Sequence, residues 1–274
     1  MPAKIPIQLK NVEKTLLLPL WGRAVEAQKK RPLLVDAAAV EIMKKIDYDF
    51  STIALNISPI TQLGWIARSI HIDRALKKFL QQHPRATIVN IGCGLDTTFE
   101  RVDNGSLTWY DLDLPPVISL RRELIHENER RKFLACSFLD ETWFRDLKIG
   151  DGIMFIAAGV FYYFEESDIR KFFIDLAENC PGSEIVFDAC SPLGVRVANK
   201  KVIEGGGMDE GAILKWGLES ANNIRQWDKR IVVAAEYRIF KNFKRRLSLR
   251  NKAGTMFSDL LNIMFMAHIR FAKP

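Results

Sequence analysis

The sequence predicts an α/β domain: a mostly parallel sheet with helices on both faces. Three observations predict it. An apolar, β-branched run at Ile88, Val89 and Ile91 stops at Gly92-Cys93-Gly94, the pattern of a buried strand entering a glycine turn. From there to Ala189, short apolar runs alternate with amphipathic stretches, which calls for parallel strands joined by right-handed crossovers. One run, 152–158 (GIMFIAA), is apolar throughout, as a central strand buried on both faces must be.

Residues 1–83 read as a mostly helical extension packing on the cofactor site. Leu16-Leu17-Leu18 run into Pro19, 21–29 reads as a helix with an exposed face, and 37–46 as another that ends before Asp47-Tyr48-Asp49-Phe50. The clearest stripe lies in 65–80, where Ile72, Leu76, Phe79 and Leu80 recur at helical spacing, the mark of a core-facing side. Arg68 shares that stripe, four residues before Ile72 and eleven before Phe79. An arginine on an apolar face needs an anionic partner, because burying it unpaired is costly. A structural salt bridge and a clamp on a ligand carboxylate both meet that need.

The α/β rhythm occupies 84–274, after His83-Pro84 ends the helix. Segment 87–101 (TIVNIGCGLDTTFER) supplies the first strand and a turn where no Cβ blocks a ligand from the backbone. Amides in such a turn donate to an anionic or polar group. Thr97 stands where a dinucleotide fingerprint has its third glycine, which weakens an NAD reading. The second strand, 107–113 (LTWYDLD), ends in two acids, Asp111 17 residues after Gly94 and Asp113 19. An acid about 20 residues past the glycines, at a strand's carboxyl end, accepts from both ribose hydroxyls. The pair therefore points to a nucleoside cofactor, and NAD and S-adenosylmethionine both qualify.

Pro115-Pro116 open an amphipathic helix over 117–131. A third strand is expected at 132–137 (KFLACS), a helix at 140–146, the fourth strand at 152–158 and a helix at 167–179. Pro181-Gly182 turn into a fifth strand, 184–189. The alternation then stops. Residues 191–230 hold Gly205-Gly206-Gly207, Trp216 and Trp227 without a clear strand. They read as a cap over a substrate pocket, the glycines giving a mobile loop, or as a plain surface insertion. Strands are expected at 231–240 and 265–271, with a helix at 257–264 between them.

A chain of 274 residues has room for one large domain, or for a domain with an appendage. An apolar share of 48% and a charged share of 27% are those of an ordinary soluble protein. No apolar run approaches the roughly 18–20 residues that span a bilayer. The opening residues also lack the apolar core of a signal peptide. The expected location is the cytoplasm, with no membrane partner. Cys93, Cys136, Cys180 and Cys190 show no C-x-x-C spacing, which argues against disulfides and a metal site; Cys93 is placed to line the cofactor turn. A net charge of +7 and a pI of about 9.2 suit a nucleic acid, an anionic membrane or an acidic small substrate. Lys241, Lys244, Arg245, Arg246, Arg250 and Lys252 form the densest basic cluster, read as a solvated loop or hairpin.

The segments PLWGRA (19–24), DYDF (47–50), VNIGCGLDTTFERVDNG (89–105), WYDLDLP (109–115), GVFYYF (159–164) and EIVFDA (184–189) occur in order over roughly residues 10–240. Together they resemble the leucine carboxyl methyltransferase-like enzymes, in particular the branch of the tetracenomycin polyketide-synthesis O-methyltransferases. The resemblance implies a class I methyltransferase (Rossmann-like) sheet of seven strands with a reversed final hairpin. It also implies S-adenosylmethionine as methyl donor and S-adenosylhomocysteine as product. By position it implies Arg68 at the methionine carboxylate and Gly92, Cys93 and Gly94 at the close approach. Asp113 falls at the ribose, with Asp111 supporting it or sharing the role. Ser137 and Phe138 fall at the adenine, where relatives often carry Asp-Leu. Ala158, followed by Gly159, stands where many relatives carry Glu, so that carboxylate contact is absent or supplied elsewhere.

Transfer from a sulfonium needs an acceptor oxygen held close and water kept out. A phenol calls for a base, whereas a carboxylate arrives ionised. His71, His83, His126 and His268 show no pairing with an acid. That scarcity and the positive charge favour a carboxylate on a small acidic or aromatic, polyketide-like molecule, with Tyr162, Tyr163 and Trp216 as candidate pocket walls. The alternatives are a protein carboxyl terminus as acceptor, a non-catalytic module that binds the cofactor or its product, and an NAD oxidoreductase. Base amino-methylating enzymes typically carry an (Asp/Asn)-Pro-Pro-aromatic box after the fourth strand. Here that place reads Ala-Ala-Gly-Val-Phe-Tyr-Tyr, so no nucleic-acid partner is expected.

Overall fold

Seven strands form one sheet in the computed structural model of the chain, which describes residues 4–204, 208, 210–243 and 248–273. They are β1 (Thr87–Ile91), β2 (Thr108–Asp113), β3 (Arg131–Ala135), β4 (Ile153–Ala157), β5 (Glu184–Cys190), β6 (Ile231–Arg238) and β7 (Met264–Phe271). Their spatial order is β3-β2-β1-β4-β5-β7-β6. The first five of these pair in parallel, and β7 runs antiparallel to both β5 and β6. The implied reversed hairpin is thus a single reversed strand, β7, inserted between two that run with the sheet. Strand order switches at β1, which lies between β2 and β4. A crevice outside the carboxyl ends of such strands is where open sheets take ligands.

The principal helices are α1 (Leu17–Ala27), α2 (Ala37–Lys45), α3 (Pro59–Gln82), α4 (Thr98–Val102), α5 (Pro115–Leu124), α6 (Glu166–Asn179), α7 (Pro192–Ala198) and α8 (Leu249–Leu260). α3 starts earlier than its apolar stripe because Ser58 caps it, accepting from the Thr61 amide, and Pro59 fills the first turn. Its Ala67, Ile72, Leu76 and Phe79 pack with Ile88, Met154, Val186 and Met266 of the sheet. In the core of the other face, Ile169, Phe172, Phe173 and Leu176 of α6 join Val89, Phe155, Ile185 and Phe187. Neighbours Ile88 and Val89 go to different cores, as the two-residue pleat requires. A third core joins α1 and α2 to α5 and to the stretch around α7, and includes Cys93, Leu95 and Cys190 from the strands' carboxyl ends.

Several expectations are corrected. α1 begins at Leu17, ahead of Pro19, because a proline in the first turn lacks only an N–H that has no helical partner there. The helix is not exposed-faced: Leu17, Leu20, Trp21, Arg23 and Glu26 are all buried. Arg23 tolerates this by donating from Nε to Asp36 at 3.0 Å. α5 stops at Leu124, short of 131, and 141–146 is a 3-10 turn. The last helix is α8, which ends at Leu260 rather than spanning 257–264.

The expected cap at 191–230 divides. Val195 and Ile203 join the core over the strand ends, whereas Trp216, Leu218, Ile224 and Trp227 belong to the core shared with α6. Gly205-Gly206-Gly207, and Lys244, Arg245 and Arg246 of the basic cluster, lie outside the described residues. Among the described residues no helix is long and apolar enough to cross a membrane.

Candidate active site

A cavity of about 540 Å³ opens where β1, β2, β4 and β5 end, within the size range of small-molecule and cofactor sites. Of the residues singled out in the sequence, Arg68, Gly92, Cys93, Gly94, Asp113, Ser137, Phe138, Ala158, Gly159, Tyr162 and Tyr163 line it. Asp111 and Trp216 do not.

The turn after β1 places Gly92 and Gly94 at φ of +59° and +47°, where an L side chain is strained. A Cβ on Gly92 would also stand 2.6 Å from Val160 Cγ2. Arg121, reaching from α5, braces this turn. Its Nη1 donates to the Gly94 carbonyl at 2.7 Å, and its Nη2 to the Asp96 carbonyl and to Asp111 Oδ2, both at 2.9 Å. Asp111 also accepts from Arg131 Nε and Trp109 Nε1, each at 2.8 Å, and from Asn90 Nδ2 at 3.1 Å. Both of its oxygens are engaged inside the protein. The expectation that Asp111 supports or shares a ribose contact is therefore corrected: it anchors the residue that shapes the turn.

Asp113, at the carboxyl end of β2, faces the cavity. Its Oδ2 accepts from the Gly94 amide at 2.7 Å and its Oδ1 from the Leu114 amide at 2.8 Å. Burial pushes its pKa up to about 6 against the pull of those two amides. Past β3, Phe138 sets its ring edge-on to Phe164 and Phe172, 4.8 and 4.9 Å away, and Ser137 Oγ accepts from the Leu139 amide.

Elsewhere on the wall, Arg68 is 4% exposed. Its Nη1 donates to Asp188 Oδ2 at 3.0 Å and to the Tyr162 hydroxyl at 3.3 Å. Burial opposes its charge, but Asp188 and Tyr162 outweigh burial and raise its pKa. Its Nε is buried with no hydrogen-bond partner among the described residues. The other oxygen of Asp188 accepts from the Gly159 amide at 2.6 Å. Gly159 holds φ +80°, and a Cβ there would stand 2.7 Å from Arg68 Nη1, so glycine leaves room for the guanidinium. Sequence reading gave Asp188 no role. The available signal was an acid inside an otherwise apolar strand, near its carboxyl end. Ala158 offers no carboxylate, and the acid bonded to the neighbouring amide comes from β5 instead.

The remaining wall is poor in bases. Burial raises the Tyr162 phenol well above its ordinary value and the Tyr163 phenol to about 12. Burial likewise pushes up the thiols of Cys93, Cys136 and Cys190. Trp216 is corrected from pocket wall to backing. Its ring packs against Trp227 at 5.9 Å, and its amide and that of Lys215 donate to the Tyr162 carbonyl at 3.2 and 2.6 Å. His71 meets the Ile239 carbonyl, His83 the Asp151 carbonyl, and His268 pairs with Glu184 at 2.6 Å. No histidine lines the cavity. No cluster suited to a metal ion occurs among the described residues.

Thr15, Leu16 and Arg23 of the N-terminal extension complete the wall. The extension is tied to the turn through Asp36, which accepts from Arg23 Nε, Thr97 Oγ1 and Arg101 Nη1 at 3.0, 2.6 and 2.8 Å.

The strand order, the single reversed strand and the crevice beside β1 define the class I methyltransferase fold. A candidate methyltransferase from Thermobifida fusca matches it with a TM-score of 0.60, covering 96% of each chain at 14% identity. A DUF574 family protein from Streptomyces avermitilis matches at 0.57, covering 93% of this chain and 97% of its own at 13% identity. The leucine carboxyl methyltransferase profile matches residues 17–177. The chain is 30% identical over 219 residues to the tetracenomycin polyketide synthesis O-methyltransferase TcmP of Streptomyces glaucescens, covering 80% of this chain and 79% of that one. It is 27% identical over 202 residues, 67% of each chain, to the S-adenosyl-L-methionine-dependent methyltransferase dpfgK of Gibberella zeae. The chain belongs to the leucine carboxyl methyltransferase family and is an S-adenosylmethionine-dependent methyltransferase.

Proposed function

We propose that this enzyme methylates a carboxylate oxygen of a small acidic or aromatic, polyketide-like molecule. The observation that carries this reading is that the described cavity wall holds no histidine and no easily ionised phenol or thiol. No histidine lines it, and the phenols and thiols there are pushed up and hold their protons. Among the acids, Asp96 lies well below the usual carboxylate range because Arg23 and Arg101 outweigh its burial. Asp113 is bonded to two amides, and Glu13 stands close enough to Asp113 to raise its pKa. A phenol, with a pKa of about 10, needs a base to take its proton, and only the acids and Lys201 on the described wall are left for it, whereas a carboxylic acid ionises unaided at about pH 4. The likeness to TcmP supports a small molecule as acceptor.

The residues present fit S-adenosylmethionine. The glycine turn leaves backbone bare at the cavity, Asp113 presents a carboxylate there, and Arg68 Nε is a buried donor without a partner among the described residues. In this reading Gly92, Cys93 and Gly94 allow the close approach, and Asp113 accepts from the ribose hydroxyls. Ser137 and Phe138 hold the adenine. Arg68 takes the methionine carboxylate, and Ala158 and Gly159 floor the site. When bound, the cofactor supplies an electrophilic methyl on a sulfonium. The chain's own part is to seat the acceptor oxygen in line and exclude water, with Tyr162 and Tyr163 acting as protonated donors.

The test is methyl transfer from labelled cofactor to paired aromatic acids and phenols of the same skeleton. Label is expected in the acids alone and should be released by mild base, as an ester's is. Label that survives base, as an ether's does, rejects the carboxylate.

A further inference from the structure

α8 is built inside out. Thr255, Ser258 and Asp259 are 0%, 8% and 3% exposed, whereas Leu249, Met256, Phe257 and Leu260 are 84%, 60%, 61% and 68% exposed. With Ala253, also exposed, these apolar residues stand at i, i+4, i+7, i+8 and i+11, a single stripe along the helix. A hydrogen bond fixes this orientation: Asp259 accepts from the Phe240 amide at 3.0 Å. Close packing fixes it too, since a Cβ on Gly254 would stand 2.7 Å from Ile60 Cδ1. The apolar side is therefore the outward side by construction.

The sequence around it is strongly basic. From Arg238 to Ser258 it holds seven Lys and Arg and no Asp or Glu. An outward apolar stripe joined to a basic stretch is the two-part signature of a helix lying in the head-group layer of an anionic bilayer. We propose that α8 seats this enzyme on an anionic lipid surface, its Leu249, Met256, Phe257 and Leu260 dipping into the acyl boundary.

Charge separates this occupant from a second copy of the chain, whose own basic stretch would repel the first. The stripe separates it from an acidic protein partner. A protein interface rings its apolar centre with hydrogen-bonding groups, and this side of the helix projects Leu, Ala, Met and Phe. Position adds a third reason. Gly254, Phe257 and Ser258 of the same helix line the cavity, so a lipid-dissolved acceptor would meet the site where it leaves the membrane. An interfacial helix lies on a bilayer and does not cross it, so the lack of a spanning helix among the described residues is no obstacle.

The test is co-sedimentation of the full chain with phosphatidylcholine vesicles, with and without phosphatidylglycerol, at low and high salt. Wild type should bind the anionic vesicles at least tenfold more than the neutral ones, and raised salt should weaken that binding. The triple variant Leu249→Gln, Met256→Gln, Leu260→Gln, whose positions do not line the cavity, should lose at least tenfold in vesicle binding. It should keep its melting temperature and its affinity for S-adenosylhomocysteine. Wild type that ignores anionic vesicles, or a triple variant that binds them like wild type, overturns the proposal. A dimer that the triple variant dissolves would give the stripe to a second copy. Capture of an acidic protein without vesicle binding would give it to that partner. Vesicle binding is read with no methyl acceptor present, so its failure leaves the proposed reaction standing.

Discussion

Asp111 and Asp113 sit two residues apart on one strand, point to the same side of the sheet by the pleat, and are set to different work. Asp111, one pleat deeper, is closed in by Arg121, Arg131, Trp109 and Asn90. Asp113 stands where β2 ends, with main-chain amides as partners and a cavity in front of it. Gly94 links the two, giving its amide to Asp113 and its carbonyl to the arginine that Asp111 holds. Depth along a strand, rather than which side a residue faces, separates the acid that braces the turn from the one that faces the cavity.

The sharpest way to break this comparison is Asp111→Ala. It leaves two arginines, each at most 2% exposed, without their shared carboxylate. Removing one partner of a buried ion pair costs about 3–5 kcal/mol, so urea unfolding should show a loss of that size, or no folded protein at all. A variant as stable as wild type that nonetheless fails to bind S-adenosylhomocysteine would put Asp111 at the ligand. Next in size, Asp113→Ala and Arg68→Ala should each weaken S-adenosylhomocysteine binding in calorimetry at least tenfold, about 1.4 kcal/mol. Unchanged affinity in both would refute the residue assignment.

The smallest effect is with pH. In the proposed reading ribose hydroxyls donate to the ionised form of Asp113, whose pKa is raised to about 6 by burial. Below that value the carboxyl must lose a proton before it can accept both hydroxyls, so affinity falls as pH falls. Between pH 7 and pH 5 the ionised fraction drops roughly tenfold, and the association constant should follow it. Asp113→Asn should bind more weakly at pH 7 and show little of this slope; an unaltered slope would assign the titration to another group.

Much of this arrangement was legible in the residues. Every strand of the sheet falls within two residues of its apolar run, because runs such as IMFIA carry their burial in their composition. The oddity of Arg68 on an apolar stripe pointed to a buried acid or a ligand, and the structure supplies Asp188 while leaving Nε unpartnered among the described residues. What was hidden depends on parts distant in the chain. The choice between Asp111 and Asp113 turns on Arg121 and Arg131, which arrive from the next helix and strand. The pairing of His268 with Glu184 needs the register that sets Val186 opposite His268. Trp216 was misplaced because aromatic residues suit a core and a pocket wall equally well. α1 was misjudged because Arg23 and Glu26 look solvent-facing until their partners are known: Asp36 for one, Lys29 and the Leu33 amide for the other.

The brace from Arg121 to the Gly94 and Asp96 carbonyls bears on how a ligand docks. A loop whose carbonyls are tied to the interior is held in one shape by the protein's own groups. Little chain freedom remains to be given up on association, and no closure of this segment need precede encounter. Here the shape of the turn comes from folding itself, through an arginine that a ligand does not have to place.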